Sequence, residues 1–354
     1  MSDASFTPRS GGPVTIVVSA VGAPGAARLL KALRENGERE VRLIGTDLGE
    51  RAIGRHLCDA FHRVPAGGDP AFADAILAIC RSERVDAVLP ESSFDLEGLA
   101  HARGRFADEG VAVLVSSPES IARANDKGET YALLERLGLP TPAFRRVQGS
   151  AAVAAAAMEL GYPDRPVCFK PVFGSGSRGF RILDPTVDRA HQLLHEKPGS
   201  LALRLDEAVE LLPAEGGPEL LVMELATGPE RTVDGFADGR RIVLGHAKTR
   251  EGVRAGLAMW FVTLDEPELL AQCDLLIAEL GVEHFFNIQL IGPHFIEINP
   301  RISTVVYQED FNLPWLGVKR ALGLISDDEA AACAARIRPG RTALRYFDQV
   351  EFDA

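Results

Sequence analysis

The stretch Phe286–Arg301, FNIQLIGPHFIEINPR, concentrates side chains that can do chemistry. Its alternation predicts two short strands joined by a turn at Gly292–Pro293. On a strand every second residue shares a face. Asn287 and Gln289 therefore point one way, and so do Glu297, Asn299 and Arg301. Pairing across the turn would gather oxygen donors and one guanidinium on a single face. Such a face suits a hard cation shared with a polyphosphate, because Mg²⁺ takes oxygen ligands and usually draws some of them from substrate phosphates. Arginine meets phosphate with two parallel donors and spreads charge during phosphoryl transfer. Leu290, Ile296 and Ile298 need the other face buried, which argues against a hairpin that simply faces water.

Three further segments carry glycine or basic side chains at telling positions. GSGSRG at Gly174–Gly179 (Gly174, Ser175, Gly176, Ser177, Arg178, Gly179) joins two predicted strands, which is the wrong context for a dinucleotide turn. Its free amides could instead fold over phosphates as a lid, with Lys170 at the end of the preceding strand. HAKTREGVRAG at His246–Gly256 places His246, Lys248 and Arg250 on one strand face, with Arg254 beyond. That segment supplies local positive charge for a polyanion; the alternative is a solvated basic edge that deters strand pairing. VGAPG at Val21–Gly25 follows a strand and opens a helix, and Asp47 ends the next strand where a ribose-binding acid would sit. The glycine spacing of a dinucleotide site fails, because its second and third glycines would fall on Pro24 and Ala27, and proline has no amide to offer.

The elements that position these residues are legible in outline. Strands at Val14–Ala20, Val41–Asp47, Ala87–Pro90 and Val111–Ser116 alternate with helices at Ala26–Asn36, Ala71–Arg84 and Leu96–Ala107, which predicts a parallel sheet with right-handed crossovers. After Ser117–Pro118 the pattern changes. Helices are expected at Lys127–Leu137 and over the alanine-rich Ala151–Leu160, and strands at Pro166–Val172, Gly179–Leu183 and Leu220–Leu225. RTVDGFA and RIVLGHA read as a hairpin turning at Asp238–Gly239. Helices follow at Glu266–Leu280 and Leu316–Leu322.

Composition narrows the field. The 354 residues suffice for two or three domains, and 46% of them are hydrophobic. Fifty acidic against 38 basic residues give a formal charge of −12, which argues against a broad nucleic-acid or anionic-membrane surface. Five scattered cysteines without a CxxC fit reduced core thiols and a cytoplasmic setting. No apolar stretch reads as a signal peptide or a membrane span.

Taken in order, the motifs resemble the ATP-grasp superfamily, nearest to the carbamoyl-phosphate synthase large-subunit branch and its single-module relatives, over roughly Val14–Phe347. Asn125-Asp126-Lys127, with LGLPTP at Leu137–Pro142, resembles the entry to the small subdomain, and the likeness puts Lys127 near the adenine and α-phosphate. It makes Lys170 the basic residue before the lid and GSGSRG the lid itself. Met223-Glu224-Leu225-Ala226 resembles the hinge strand that reads adenine, and Glu230 matches the acid on the ribose hydroxyls. Gln289, Glu297 and Asn299 match the magnesium ligands, and Arg301 the arginine that steadies the transferred phosphoryl. Lys248, Arg250 and Arg254 sit where relatives carry a basic segment beside phosphate and acceptor. Blander readings exist for several: a solvated first-turn Lys127, an edge-strand Glu224, and a Glu230 that answers Arg231.

The resemblance implies an N-terminal Rossmann-like parallel α/β sheet (residues 1–118) before an α+β ATP-grasp fold in two subdomains, 119–225 with the lid and 226–354 with the metal ligands. It implies an ATP-dependent ligase that joins a small-molecule carboxylate to an amine or ammonia through an acyl phosphate, with ATP and Mg²⁺ (or Mn²⁺) as cofactors; it also allows a homodimer. One module and no glutaminase argue against complete carbamoyl-phosphate synthesis. The alternatives are an ATP-binding regulatory module without turnover and a nucleotide-dependent dehydrogenase using the first domain.

Overall fold

A computed structural model of the chain describes residues 12–174, 176–197, 199–254, 256–303, 307–308 and 311–352. Its residues cluster into two compact units. The first runs to Ala122, resumes over Glu230–Gln289 and again from Ile298; the second is Arg123–Pro229 with Leu290–Glu297.

The first unit opens with β1 (Val14–Val18), β2 (Val41–Asp47), β3 (Ala60–Arg63), β4 (Ala87–Leu89) and β5 (Ala112–Val113). They form one parallel sheet in the order β3-β2-β1-β4-β5. β1 is buried along its whole length, as a strand covered on both faces requires. Val14, Ile16 and Val18 pack with Leu29, Leu30 and Leu33 of the helix Ala26–Arg34. Val17 and Val88 pack on the other side with Ile76, Leu77, Leu99 and Phe106 from the helices Phe72–Glu83 and Leu96–Asp108. β3 was not expected from the sequence: AFHR is short, half-buried and lies at the sheet edge.

The second unit holds β6 (Phe144–Val147), β7 (Val167–Pro171), β8 (Arg181–Leu183), β9 (Ala202–Leu203) and β10 (Leu220–Glu224), in the order β6-β10-β7-β8-β9. The alanine-rich segment is the helix Ser150–Glu159. Val153, Ala156 and Ala157 face Val167, Phe169 and Val222, so the alanines let helix and sheet approach closely.

The remaining strands are β11 (Glu230–Asp238), β12 (Ile242–Thr249), β13 (Trp260–Leu264), β14 (Glu283–Ile291), β15 (His294–Asn299), a ribbon of β16 (Tyr307–Gln308) with β17 (Phe311–Asn312), and β18 (Thr342–Leu344). The large sheet runs β15-β14-β11-β12-β13-β18. The β11–β12 turn is closed by Asp238, whose Oδ1 accepts from the amides of Arg240 and Arg241 at 2.9 Å, and Gly239 takes φ +87°. β14 and β15 flank the Gly292–Pro293 turn, with Gly292 at φ +54°. Two expectations are corrected. β12 lies between β11 and β13, so the basic segment is not a solvated edge. β10 lies between β6 and β7, so Glu224 is not an edge-strand acid. Among the described residues no helix is long and apolar enough to cross a membrane.

Candidate active site

In the second unit two lysines converge. Lys170 closes β7, is 8% exposed, and donates from Nζ to the Ile296 carbonyl at 3.0 Å and to Tyr131 Oη at 3.4 Å. Lys127 opens the helix Lys127–Arg136 just after Asp126, whose carboxylate caps the helix by accepting from the Glu129 amide at 3.0 Å. Its Nζ reaches the Gly174 carbonyl at 2.6 Å, so it is not a solvated first-turn lysine. Burial lowers the Lys170 pKa to about 8; Glu297 opposes the shift and Lys127 adds to it. Burial also lowers Lys127, again against Glu297. Both ammonium groups lie in the field of Glu297, and Asp126 acts on Lys127 as well.

The glycine-rich loop spans from β7 to β8. Gly174, Gly176, Ser177 and Gly179 all take positive φ, between 57° and 148°. Gly179 also has no room for a side chain, since a Cβ there would come 2.7 Å from Pro171 Cγ. Ser175 lies outside the described residues. Glu224 ends β10 and pairs with Arg165 at 3.1 Å, a partner the sequence did not suggest; Ala226 follows, half-buried.

In the first unit Arg250 is the organiser. Its guanidinium meets Glu230 at 3.3 Å, Gln289 Oε1 at 3.1 Å and the Gly256 carbonyl at 2.8 Å. Glu230 therefore does not answer Arg231, which pairs with Glu266 at 2.6 Å. Gln289 donates in turn to Asn287 Oδ1 at 3.1 Å, and Asn287 donates to Asp234 at 2.9 Å. Arg254 is exposed in the loop after β12. Arg301 follows β15 and donates to Ser93 Oγ and to the Ile302 carbonyl, both at 2.8 Å.

Lys248 needs correction. The sequence placed it at phosphate or substrate, but its side chain is fully buried and meets Asp234 at 2.8 Å. Burial disfavours the Asp234 charge, yet Lys248 outweighs it and holds the carboxyl below its ordinary range. Lys248 is thus part of an internal ion pair. His246 is buried as well, and burial, then Lys248, pushes its pKa down to about 3, so the ring is neutral.

Oxygen donors of the kind Mg²⁺ takes stand on β14 and β15, and one of them, Gln289 Oε1, accepts from Arg250. Glu297 and Asn299 alternate on β15 and Gln289 lies on β14, giving one carboxylate and two amide oxygens. Among the described residues no group of three or more His, Cys, Asp or Glu could hold a metal by itself. An ion that keeps waters and takes oxygens from substrate phosphates needs no such group. Asn287 donates to Asp234 and Thr232, so its amide nitrogen is engaged within the sheet.

The dehydrogenase reading loses its acid. Asp47 Oδ2 and Oδ1 accept from the amides of Gly22 and Gly49, each at 2.8 Å, which closes the turn rather than leaving a carboxylate for ribose. A cavity of about 580 Å³ is lined by Arg320 and Ser326–Glu329 among others, none of them in the motifs above.

Comparisons with known proteins add likenesses of sequence and fold. Residues 217–341 match the family described as ATP-grasp in the biosynthetic pathway with Ter operon, and residues 16–114 match the PylC-like N-terminal domain. The carbamoyl phosphate synthase large chain of Deinococcus radiodurans is 31% identical over 217 residues, covering 57% of this chain and 19% of that protein. The chain thus spans about a fifth of the length of that curated relative. The L-amino acid ligase of Bacillus licheniformis superposes with a TM-score of 0.64 at 16% identity, covering 94% of this chain and 79% of the other. The biotin carboxylase domain of the Hydrogenobacter thermophilus 2-oxoglutarate carboxylase, solved with MgADP and bicarbonate, gives 0.55 at 18% identity over 94% and 70%.

Proposed function

We propose that this chain, an ATP-grasp ligase of the carbamoyl-phosphate-synthase large-chain kind, activates a small-molecule carboxylate with ATP and transfers the acyl group to an amine. The observation that supports this reading is the pair of lysines near Glu297, Lys170 buried and Lys127 half-buried, next to a loop whose glycines take positive φ.

The carboxylate oxygen attacks the γ-phosphorus and ADP leaves. The amine then attacks the acyl carbon, and phosphate departs with the oxygen that bridged carbon and phosphorus. Little proton transfer is needed in the first step, so positioning and charge carry it. Lys127 and Lys170 offset phosphate charge. Arg301 meets the charge that grows on the transferred phosphoryl. The backbone around Glu224 and Ala226 reads adenine, and Glu230 accepts from the ribose hydroxyls. Gly174–Gly179 covers the phosphates and excludes water, which would otherwise hydrolyse the acyl phosphate. Gln289, Glu297 and Asn299 would hold Mg²⁺, whose chemistry when bound is to bridge and neutralise phosphate oxygens. Arg250 and Arg254 flank this region as contacts for phosphate or substrate.

An ADP-release screen of carboxylates crossed with amines tests the reading. The productive pair is then run with ¹⁸O in the carboxylate. Label is expected in the released phosphate; its absence there rules out the acyl phosphate.

A further inference from the structure

The first sheet reverses its winding between β1 and β4: the chain steps outward to β2 and β3 and returns on the other side at β4 and β5. Open α/β sheets take ligands outside the carboxyl ends of their strands at such a reversal. Here those ends carry Ser19 after β1, Asp47 at the end of β2, and Glu91, Ser93 and Asp95 after β4.

Glu91 is the unusual member. It is 8% exposed, and its Oε2 is buried with no hydrogen-bond partner among the described residues. Buried carboxylate oxygens are normally satisfied, so one left open points to a group that arrives from outside. The other oxygen lies 2.6 Å from where a Cβ on Gly25 would sit, so the glycine leaves room for the carboxyl. Gly25 is the residue before the helix Ala26–Arg34. The charged groups that act on Glu91 are cationic. Arg301 and Arg345 both act on it, and Arg345 also feels Arg28. Arg345 is anchored by its Nε to the Ala258 carbonyl at 3.2 Å. Asp95 is occupied by the Ser19 hydroxyl at 2.5 Å, and Asp47 by the amides of Gly22 and Gly49. Of the three carboxyls, Glu91 is the one with a fully buried oxygen that has no partner among the described residues.

We propose that Glu91 recognises the amine substrate and takes its ammonium, and that this substrate carries its own carboxylate for Arg345 and Arg28, which is the chemistry of a free amino acid. The proposal rests on the carboxylate–amine ligase reading above. Arg301 lies two residues beyond the ligand Asn299 and contacts Ser93, two residues beyond Glu91, so the amine would enter beside the group assigned to the phosphoryl. Glu91 can also manage the proton. Burial raises its pKa to about 8, with Arg301 and Arg345 pulling the other way. The bound ammonium passes one proton to Glu91, which frees a lone pair. The C–N bond forms, the C–O bond to phosphate breaks, and the second N–H proton leaves on phosphate.

The experiment measures amide formation with a panel of amino acids, and separately traps the acyl phosphate with hydroxylamine, which is uncharged at neutral pH and needs no carboxylate partner. Glu91→Gln is expected to raise the KM of the amino acid by about thirtyfold or more. It should also remove the rise of kcat/KM for the amine between about pH 7 and 9. Glu91→Asp should restore part of both. Burial that opposes ionisation makes wild-type stability fall as pH rises toward about 8, so Glu91→Gln should melt no lower than wild type at pH 8. If hydroxamate and amide form but Glu91→Gln leaves the amino-acid KM within about threefold, the subsite is wrong and the ligase reading stands. A lower melting temperature with an unchanged amino-acid KM makes Glu91 structural and also overturns the proposal. If neither hydroxamate nor amide forms with wild-type protein, the ligase reading itself fails.

Discussion

Lys170 and Lys248 are both buried lysines with opposite fates. Lys248 has a carboxylate at 2.8 Å and stays inside an ion pair. Among the described residues Lys170 bonds neutral oxygens, at Ile296 and Tyr131, and its pKa falls to about 8 through burial. A lysine that loses its proton there holds phosphate less well, so ATP affinity should weaken as pH rises through about 8. Lys170→Arg keeps its charge and should flatten that dependence in ATP titrations across this range. The linked stability has the opposite sense. Between about pH 8 and the ordinary lysine value of 10.5 the folded state binds fewer protons than the unfolded, so the penalty for burying the charge is relieved as pH rises. Arg301→Ala is expected to lower turnover by roughly 10³-fold while ATP still binds, because its charge is needed only as the phosphoryl moves. Steady-state kinetics beside a binding titration checks both halves. The alternation in the sequence was enough to put Asn287 with Gln289 and to align His246, Lys248 and Arg250. It could not reveal that Lys248 is sealed, because an open edge and an interior strand can show the same alternation. The covering strand β13 begins eleven residues after Thr249, beyond an irregular loop.

At the level of elements, long periodic segments were legible and short ones were not. The helices Phe72–Glu83, Leu96–Asp108 and Pro267–Leu280 and the β14–β15 hairpin stand close to where their patterns placed them. β6 reads FRRV with both arginines exposed, β9 has two residues, and β18 has three, so none carries enough alternation to register. The helix Lys127–Arg136 shows how an element sets a side chain. Its Asp126 cap also meets Arg146 at 3.2 Å, which fixes the first turn where Lys127 stands. Asp126→Ala is expected to cost about 1 kcal/mol in chemical denaturation. It should also raise the KM for ATP, since the turn that aims Lys127 at the lid loosens.

Across the whole molecule the chain is acidic, at −12, yet the motif residues gather lysine and arginine. Those cations would offset part of the charge on the proposed ligand, and a divalent ion bound with it would offset more. Removing divalent ions with a chelator is expected to abolish ADP release and to reduce the thermal stabilisation given by ATP, which would otherwise approach about 2.7 kcal/mol at a hundredfold excess over Kd. Calorimetric melts with ATP alone, with ATP plus Mg²⁺ and with neither separate these terms. Motif order carried the fold class and the family resemblance but not the substrates, which on the reading proposed above depend on side chains such as Glu91 and Arg345 that lie far apart in sequence and in no motif.

The interleaving of the two units also bears on how the protein is made. Residues Arg123–Pro229 leave the ribosome well before Leu290–Glu297, which complete the same unit. Until then Lys170 and Tyr131 lack the Ile296 carbonyl, and Pro140 lacks the Phe295 amide. At about 5–20 residues per second the delay is on the order of several seconds. Through that interval the nascent unit carries an incomplete face, and a pause in translation between Pro229 and Leu290 would prolong its exposure to chaperones and proteases.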